Sequence, residues 1–290
     1  DPRVPSLRHI LLLTALLAIV GCEPASPPEV ETQDNNPSGN AQAAVVPGDR
    51  AMVVSPADYY AGIDADAEGD AFKLALHELI DDHTELFYRQ LWDALSYTDA
   101  DPDRPGHVLL LYTGWSRSAD LHGGNASEWN REHVWAKSHG DLGTAPPAGT
   151  DLHHLRATDV TVNNARGSLA FDNGGTLYTD NDGPTTCRRD DDSWEPRDEV
   201  KGDVARMLFY AAVRYEDPSM DLELVDAVQP PGDKAPVLGV LSTLLRWHAD
   251  DPPDDAERLR NDRVYELQGN RNPFIDHPEW VGRVWAIDSR

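Results

Sequence analysis

Cysteine is scarce in this chain of 290 residues, which contains only Cys22 and Cys187. If Cys22 is removed or acylated, no intrachain disulfide can form, and the stability of the fold must come from its core. A metal site made of several thiolates is excluded, because Cys187 cannot supply one alone. The sequence also lacks internal repeats and the HExxH pattern of many zinc proteases. Its 40% hydrophobic content suffices for one large domain or two small ones.

Basic residues are also few: 25 lysines and arginines stand against 51 acidic residues, for a net charge of -26. This excess of acidic residues argues against a protein that binds nucleic acid over a wide basic surface. Residues 131 to 168, however, carry equal numbers of basic and acidic side chains and are locally neutral. Salt screens an acidic exterior over roughly 10 Å at 0.1 M. Any nucleic acid should therefore be bound weakly, without sequence preference and with tolerance of salt.

No apolar run reaches the length of about 20 residues that a membrane-spanning helix needs. The run from Ile10 to Val20 is shorter and follows Arg3 and Arg8, which is typical of a signal peptide. It ends at Cys22 in a sequence similar to the bacterial lipoprotein processing box, so we predict a signal peptide over residues 1–22 with lipidation at Cys22. An ordinary secretory signal is the alternative. Both predict an extracytoplasmic protein, whether periplasmic, an outer-surface lipoprotein or secreted.

Residues 23–54 are rich in Pro, Ser, Asn, Gln and Ala and have no hydrophobic period, which predicts a flexible linker before a folded domain over 55–290. From residue 70 to 98, apolar side chains recur at helical spacing, which predicts one buried helix face interrupted near Asp81 and Asp82. These side chains are Phe72, Leu76, Leu79, Ile80, Phe87, Leu91 and Leu95.

The middle of the chain is predicted to run strand, loop, helix. The apolar run from Val108 to Tyr112 and the segment 128–135 are predicted as strands. Thr158 or Asp159 would cap a helix that carries Asn163 and Arg166 on a shared polar face.

The C-terminal half is predicted to be mainly helical. Helices are expected over 199–215, 237–248 and 255–268, with the loop 250–254 ending the second, because its two prolines cannot continue a helix. Residues 173–192 read as an irregular segment that is either functional or mobile. Residues 268–278 would pack Phe274 and Ile275 back onto the core, and Arg271 is only a secondary candidate for a functional contact. The fold class is therefore α+β, mainly helical, with little sheet.

A carboxylate beside an imidazole, Glu132 and His133, is the strongest chemical signal. Because successive strand side chains point to opposite faces, both can reach one phosphate only at a strand end or a bulge. Asn163 would present a neutral oxygen from a neighbouring helix. Oxygen ligands, a neutral imidazole and cations that hold phosphate are what a metal-dependent nuclease needs.

Other residues are candidates for supporting roles. Flanking leucines predict that His153 or His154 is buried and hydrogen-bonded, so a structural role is favoured over catalysis for both. Asp151 could accept a hydrogen bond and so orient an imidazole or a water. His139 could be a ligand but is expected on a glycine-rich loop. Arg117 is as consistent with a solvated loop as with a phosphate contact.

Four separated motifs together resemble the endonuclease I family of periplasmic and extracellular bacterial nucleases. They are residues 130–140 (NREHVWAKSHG), 150–156 (TDLHHLR), 162–167 (VNNARG) and 269–274 (GNRNPF). The resemblance covers the chain from about Phe72 to Trp280 and implies a single mixed domain around a ββα-metal core, also called a His-Me finger. It implies cleavage of DNA and RNA with little sequence preference. Some relatives are braced by several disulfides, for which this chain lacks the cysteines.

Carried over by position, the resemblance makes Glu132 and Asn163 ligands of Mg²⁺, with Ca²⁺ or Mn²⁺ as alternatives, and His133 the general base. His133 would take a proton from a water that attacks phosphorus in line, which would leave 5′-phosphates. Arg166 or Arg156 would neutralise a phosphate, and Arg131 and Arg117 are further candidates for substrate binding. DNA and RNA both remain open as substrates. A monomer is expected, with membrane contact only through an N-terminal lipid.

Two other interpretations compete with the nuclease. A zinc hydrolase could use Asp151 with some of the histidines at 133, 139, 153 and 154. A non-catalytic acidic surface lipoprotein could bind a partner without any chemistry.

Overall fold

The computed structural model describes residues 54–64, 66–217, 220–230 and 232–285. The predicted signal peptide with its lipidation site (1–22) and the predicted linker (23–54), apart from Val54, lie outside these residues. All the described residues fall in one compact unit. None of the helices found there combines the length and apolar character needed to cross a membrane.

Three helices open the described part of the chain: α1 (Pro56–Tyr59), α2 (Gly69–Ile80) and α3 (Leu91–Thr98). The predicted interruption is confirmed and is longer than expected, because a loop and a 3₁₀ turn (Tyr88–Gln90) separate α2 from α3. The prediction that Phe87 lies on the buried helix face is wrong. The chain has left the helix there, and the Phe87 side chain is 50% exposed.

Two antiparallel hairpins precede the candidate site. Strand β1 (His107–Leu109) pairs with β2 (Ser116–Ser118), and β3 (Trp129–His133) pairs with β4 (Leu155–Asp159). β1 covers only part of the apolar run predicted as a strand, although the rest of that run is buried. In the second hairpin Glu132 stands opposite Arg156, and His133 stands opposite Leu155.

Strand β4 leads directly into helix α4 (Val160–Arg166), and the predicted cap at Asp159 is confirmed. Its Oδ1 accepts hydrogen bonds from the backbone amides of Thr161 (2.9 Å) and Val162 (3.2 Å). The predicted order strand, loop, helix missed β4. All five residues of β4 are buried, so polar and apolar side chains do not alternate along it and no period of two marks it as a strand.

Residues 173–192 were predicted to be irregular, and this is wrong. They contain strands β6 (Thr176–Asp180) and β7 (Gly183–Arg189), which form a hairpin. With β5 (Ala170–Phe171) and β8 (Ser193–Glu195) they make a four-stranded sheet in the order β5-β8-β7-β6. Most of the hairpin's side chains are exposed, so the sequence carries no strong hydrophobic pattern there.

Helix α5 (Lys201–Arg214) is the centre of the larger hydrophobic cluster, with nearly every side chain from Val204 to Arg214 buried. Four short strands follow it and form two small pairs: β9 (Glu216–Asp217) with β10 (Met220–Asp221), and β11 (Glu223–Leu224) with β12 (Val237–Leu238). The remaining helices are α6 (Leu241–Asp250), α7 (Asp255–Gln268), α8 (Pro273–Asp276) and α9 (Val281–Val284).

The three predicted C-terminal helices are confirmed as α5, α6 and α7, although α6 begins later than expected because β12 occupies its predicted first turn. The packing role of residues 268–278 is also confirmed, since Phe274 and Ile275 are buried. The described residues thus form a mixed α/β domain with several small sheets, in which β3 pairs with β4 and β4 leads directly into α4.

Candidate active site

Strand β3 divides the candidate residues between its two faces. Asn130 and Glu132 contact α4, through Asn163 and Arg166 respectively. On the other face, the Arg131 guanidinium carbon lies 3.6 Å from the centre of the Tyr88 ring. The ring of His133 also stacks against Tyr88, with 6.2 Å between the ring centres.

The strand end that a shared contact of Glu132 and His133 requires is present. His133 is the last residue of β3, so one group placed beyond that end could contact both Glu132 and His133. The two side chains nevertheless point to different faces, and the structure brings Glu132, not His133, together with Asn163 on the α4 side.

Glu132 is a buried carboxylate whose two oxygens differ. Oε1 accepts a hydrogen bond from the hydroxyl of Tyr112 (2.6 Å) and lies 3.3 Å from Nη1 of Arg166. Among the described residues, no donor binds the other oxygen, Oε2. Burial raises the pKa of Glu132, and the nearby Arg166 charge opposes that rise.

Asn163 is half-buried on α4, and its amide orientation is set by one contact. Its Nδ2 donates to Oδ1 of Asn130 at 2.7 Å. The carbonyl oxygen of Asn163 is therefore turned away from Asn130, and within the described residues it accepts no hydrogen bond. A neutral oxygen thus remains free beside the Glu132 side of β3.

His133 is buried and held by a backbone carbonyl. Its Nε2 lies 3.1 Å from the carbonyl oxygen of Gly149. Because a carbonyl only accepts, Nε2 carries the hydrogen, and Nδ1 keeps its lone pair. Burial, with a further contribution from the nearby His154, lowers the pKa of His133 to about 3. The imidazole is therefore neutral near pH 7.

Arg166 shares a face of α4 with Asn163, as predicted, but that face is turned towards β3. Arg166 is fully buried and donates to the carbonyls of His133 (3.1 Å), Val134 (2.7 Å) and Gly167 (3.2 Å). Its guanidinium also lies 4.6 Å from the centre of the Phe171 ring. These contacts favour a role in positioning Glu132 and the end of β3 over direct contact with a phosphate.

The other candidate arginines are also engaged by the protein. Arg156 is buried between Asp99 (3.3 Å) and Asp203 (3.7 Å). Arg117 pairs with Asp159 (2.7 Å) and Asp182 (2.9 Å). Neither presents an unpaired guanidinium to a phosphate. The contacts of both arginines come from segments far away in the sequence.

Arg131 is half-buried between two rings. Its guanidinium carbon lies 3.6 Å from the centre of the Tyr88 ring and 3.8 Å from that of Trp92. Nη1 also donates to the Tyr88 carbonyl at 2.9 Å. Arg131 therefore ties the 3₁₀ turn before α3 to the strand that carries His133.

The predicted burial of His153 and His154 is observed, and each donates from Nε2 to a backbone carbonyl, of Asn270 (3.1 Å) and Ala148 (2.8 Å) respectively. Asp151 is fully buried. Its Oδ2 accepts hydrogen bonds from the hydroxyls of Tyr210 (2.8 Å) and Tyr215 (2.9 Å). The carboxylate therefore links the loop before β4 to the C-terminal part of α5.

The histidines of the rival zinc site do not form a metal-binding group. His139 lies in a turn beside Gly140, as expected, and is fully buried, with Nε2 bonded to the Ser168 carbonyl at 2.9 Å. Arg271, a secondary candidate for a functional contact, is buried and pairs with Asp262 and Asp276, both at 2.7 Å. Its contacts are structural.

One acidic group in the described part of the chain has ligand atoms close enough for a metal ion: Glu216, Asp221 and Glu223. Lys73 forms ion pairs with both glutamates of that group and offsets part of its charge.

Three residues of the candidate site were not predicted from the sequence: Tyr112, Asn130 and Gly149. Asn130 begins the motif at residues 130–140, but its contact with the Asn163 amide depends on how α4 packs against β3. The role of Gly149 depends on contacts between separate segments of the chain, so no sequence pattern indicates it. A Cβ there would lie 2.7 Å from the Thr144 backbone, so glycine is needed for the loop whose carbonyl holds His133.

Comparison with known proteins assigns the class of this protein. The sequence profile of the family described as Endonuclease I matches residues 68–279. The protein is therefore a nuclease, a hydrolase of phosphodiester bonds, and the chain belongs to the endonuclease I family. This excludes the non-catalytic lipoprotein interpretation.

Two relatives are named extracellular ribonuclease. The one from Bacillus subtilis (strain 168) is 53% identical over 254 residues, which are 87% of this chain and 86% of that protein. The one from Bacillus amyloliquefaciens is 57% identical over 220 residues, which are 75% of this chain and 74% of that protein.

Proposed function

We propose that this nuclease is a secreted, metal-dependent endonuclease that cleaves DNA, RNA or both without sequence preference and leaves 5′-phosphates. The observation that carries the proposal is the anchored imidazole of His133 at the end of β3, the strand whose α4 side carries the oxygens of Glu132 and Asn163. The names of the two relatives support RNA as a substrate and secretion as the destination.

His133 acts as the general base through Nδ1. The Gly149 carbonyl fixes the hydrogen on Nε2, so Nδ1 is the atom that can take a proton from a water. The low pKa of His133, caused mainly by burial, keeps the ring neutral and ready to accept that proton at neutral pH. A phosphate beside the ring would raise this pKa, because negative charge favours the imidazolium.

Glu132 and Asn163 fit a divalent cation. Each offers an oxygen without a donor among the described residues, and Mg²⁺ prefers such hard oxygen ligands, as do Ca²⁺ and Mn²⁺. When bound, the cation supplies Lewis-acid stabilisation of the charge that builds up on the phosphate and on the leaving 3′ oxygen. The residues contribute the fixed positions: Arg166 and Tyr112 hold Glu132, and Asn130 holds Asn163.

Arg156 and Arg166 make no phosphate contact in this mechanism, because Arg156 is paired with carboxylates and Arg166 donates to backbone carbonyls. Water, not a ribose 2′-hydroxyl, is the attacking group in this scheme. The reaction therefore does not require RNA, and DNA should be cleaved by the same machinery.

The test compares cleavage of plasmid DNA and of a structured RNA by the purified protein, with Mg²⁺ and with excess chelator. We expect cleavage only with the metal and 5′-phosphate ends on the products. Glu132→Gln should weaken the response to Mg²⁺, whereas Glu199→Gln, a change at a glutamate that is 71% exposed, should not. Full activity in excess chelator, or 3′-phosphate products, would contradict the proposal.

A further inference from the structure

Phe87 is the one aromatic residue among the exposed large hydrophobic side chains of the described residues. Its ring is 50% exposed, and the guanidinium of Arg89 lies 5.6 Å from the ring centre. Exposing an apolar ring to water is unfavourable. A ring with an arginine beside it is, however, the kind of surface on which an unpaired base can stack.

The turn that carries Phe87 is fixed before any ligand arrives. The Phe87 amide donates to Oε1 of Gln90 at 2.8 Å, and the Gln90 amide donates back to the Phe87 carbonyl at 2.8 Å. Leu86, the preceding residue, is buried in the smaller hydrophobic cluster. A rigid turn loses little conformational entropy on binding, so the ring is preorganised for a partner.

The same turn leads to the proposed general base. Tyr88 follows Phe87, and its ring lies within 19° of parallel to that of His133, with 6.2 Å between the centres. Arg131 packs on Tyr88 and bonds to its carbonyl, so Phe87, Tyr88 and His133 belong to one connected surface. A strand whose phosphate lies at His133 would therefore bring a neighbouring base towards Phe87.

The distribution of charge favours single-stranded nucleic acid as the ligand of this turn. The chain carries a net charge of -26, which opposes polyanions over most of its surface. Two arginines, Arg89 and Arg131, lie against the rings of this turn. Stacking rings combined with arginine is the usual recognition chemistry for single-stranded nucleic acid, because it needs no particular base sequence.

Building on the proposed function, we propose that Phe87, with Arg89 beside its ring, forms a stacking subsite for an unpaired base of the substrate, so that single-stranded nucleic acid is preferred over duplex. A base inside a duplex is stacked on its neighbours and paired, so it cannot also lie on Phe87 without the cost of unstacking. The subsite requires no base identity and agrees with cleavage without sequence preference.

The experiment measures kcat and KM on a single-stranded oligonucleotide and on the duplex of the same sequence. A stacked base contributes about 1–3 kcal/mol, so Phe87→Ala should lower kcat/KM on the single strand by about 5- to 150-fold, mainly through KM. Cleavage of the duplex should stay within about twofold of wild type on the same reasoning. Phe87→Trp should restore the single-strand value, and Leu177→Ala, at a side chain 61% exposed on β6, should change neither.

Binding gives a readout that does not depend on catalysis. In the His133→Ala background, fluorescence anisotropy of the labelled single strand should show the same weakening by Phe87→Ala and the same recovery by Phe87→Trp. If wild type cleaves both substrates but Phe87→Ala binds and cleaves like wild type, or loses single-strand and duplex activity equally, the subsite is refuted. A wild-type protein that cleaves neither substrate contradicts the proposed function instead, and the anisotropy result then decides the subsite alone.

Discussion

Glu132 and Arg166 form an ion pair that is closed to solvent on both sides. Oε1 of the carboxylate lies 3.3 Å from Nη1, and the two side chains are 3% and 1% exposed. The same guanidinium donates to the carbonyls of His133 and Val134. One buried cation therefore fixes both the proposed metal-binding carboxylate and the backbone that carries the proposed base.

Arg166→Met should impair the enzyme although Arg166 need not touch the substrate. Removing one partner of a buried pair leaves an uncompensated charge, which destabilises by about 3–5 kcal/mol. We expect that loss in urea unfolding. Activity at saturating Mg²⁺ should fall, and the Mg²⁺ concentration for half-maximal activity should rise, because Glu132 is no longer held in place.

The double variant Arg166→Met with Glu132→Gln distinguishes these effects. Because it removes the uncompensated carboxylate, it should recover part of the stability lost by Arg166→Met alone but none of the activity. An unchanged Mg²⁺ response in Arg166→Met would contradict the positioning role.

His133→Ala tests the general base directly. Turnover should fall by about 10²- to 10⁴-fold, the usual contribution of general-base catalysis, and binding of an uncleaved oligonucleotide should change little. His107→Ala removes a histidine from β1 and serves as the matched control. Turnover of His133→Ala close to that of wild type would rule out the assignment.

The sequence predicted elements whose signals are local. Helix α7 was predicted from residue 255 to 268, and the structure has those bounds. Two prolines precede the helix, and Oδ1 of the N-cap Asp254 accepts a hydrogen bond from the Glu257 amide at 2.8 Å. The cap of α4 at Asp159 was found for the same reason.

Features that depend on distant partners were missed. Strand β4 is buried throughout, so nothing in its own residues distinguishes it from a loop. Arg156 was expected at a phosphate, but its acidic neighbours Asp99 and Asp203 lie 57 and 47 positions away in the printed sequence. Phe87 fitted the helical spacing of α2 and α3, although the chain breaks between those helices. The roles predicted for Glu132, His133 and Asn163 stay predictions.

Asp99→Asn should destabilise the hairpin that carries the site. Oδ1 of this buried carboxylate lies 2.6 Å from Nε of Arg260 and 3.3 Å from Nε of Arg156, and Oδ2 accepts from the Ala157 amide at 2.7 Å. Without the charge of Asp99, the buried guanidinium groups of Arg156 and Arg260 lose a shared carboxylate partner. We therefore expect urea unfolding to show a loss of about 3–5 kcal/mol in the free energy of unfolding. Asp103→Asn, four residues away and exposed, is the control and should cost under about 1 kcal/mol. Equal effects of the two changes would contradict a central role for Asp99.

The stability of the protein should fall as the pH decreases from about 6.5 to about 4, and His153 should contribute to this fall. Burial lowers the pKa of His153 in the folded protein to about 4, from an ordinary value of 6.5. Between these values the unfolded chain binds a proton that the folded protein excludes, so the contribution of His153 is complete above pH 6.5 and is lost towards pH 4. The difference corresponds to roughly 3 kcal/mol for this residue. The pKa values of His133 and His154 are also lowered by burial and add to the slope.

Urea unfolding at several pH values measures this slope for wild type and for His153→Gln. Between pH 6.5 and pH 4, the free energy of unfolding of the variant should depend less steeply on pH than that of wild type. The difference in slope should be up to about 1.4 kcal/mol per pH unit, which corresponds to one proton. Above pH 6.5 the difference between the two proteins should be constant, because His153 is neutral there in both the folded and the unfolded state. The variant is expected to be less stable at neutral pH, since the Asn270 carbonyl loses the donor that now lies 3.1 Å away. A wild-type slope that survives unchanged in His153→Gln would show that this imidazole is not the group that excludes the proton.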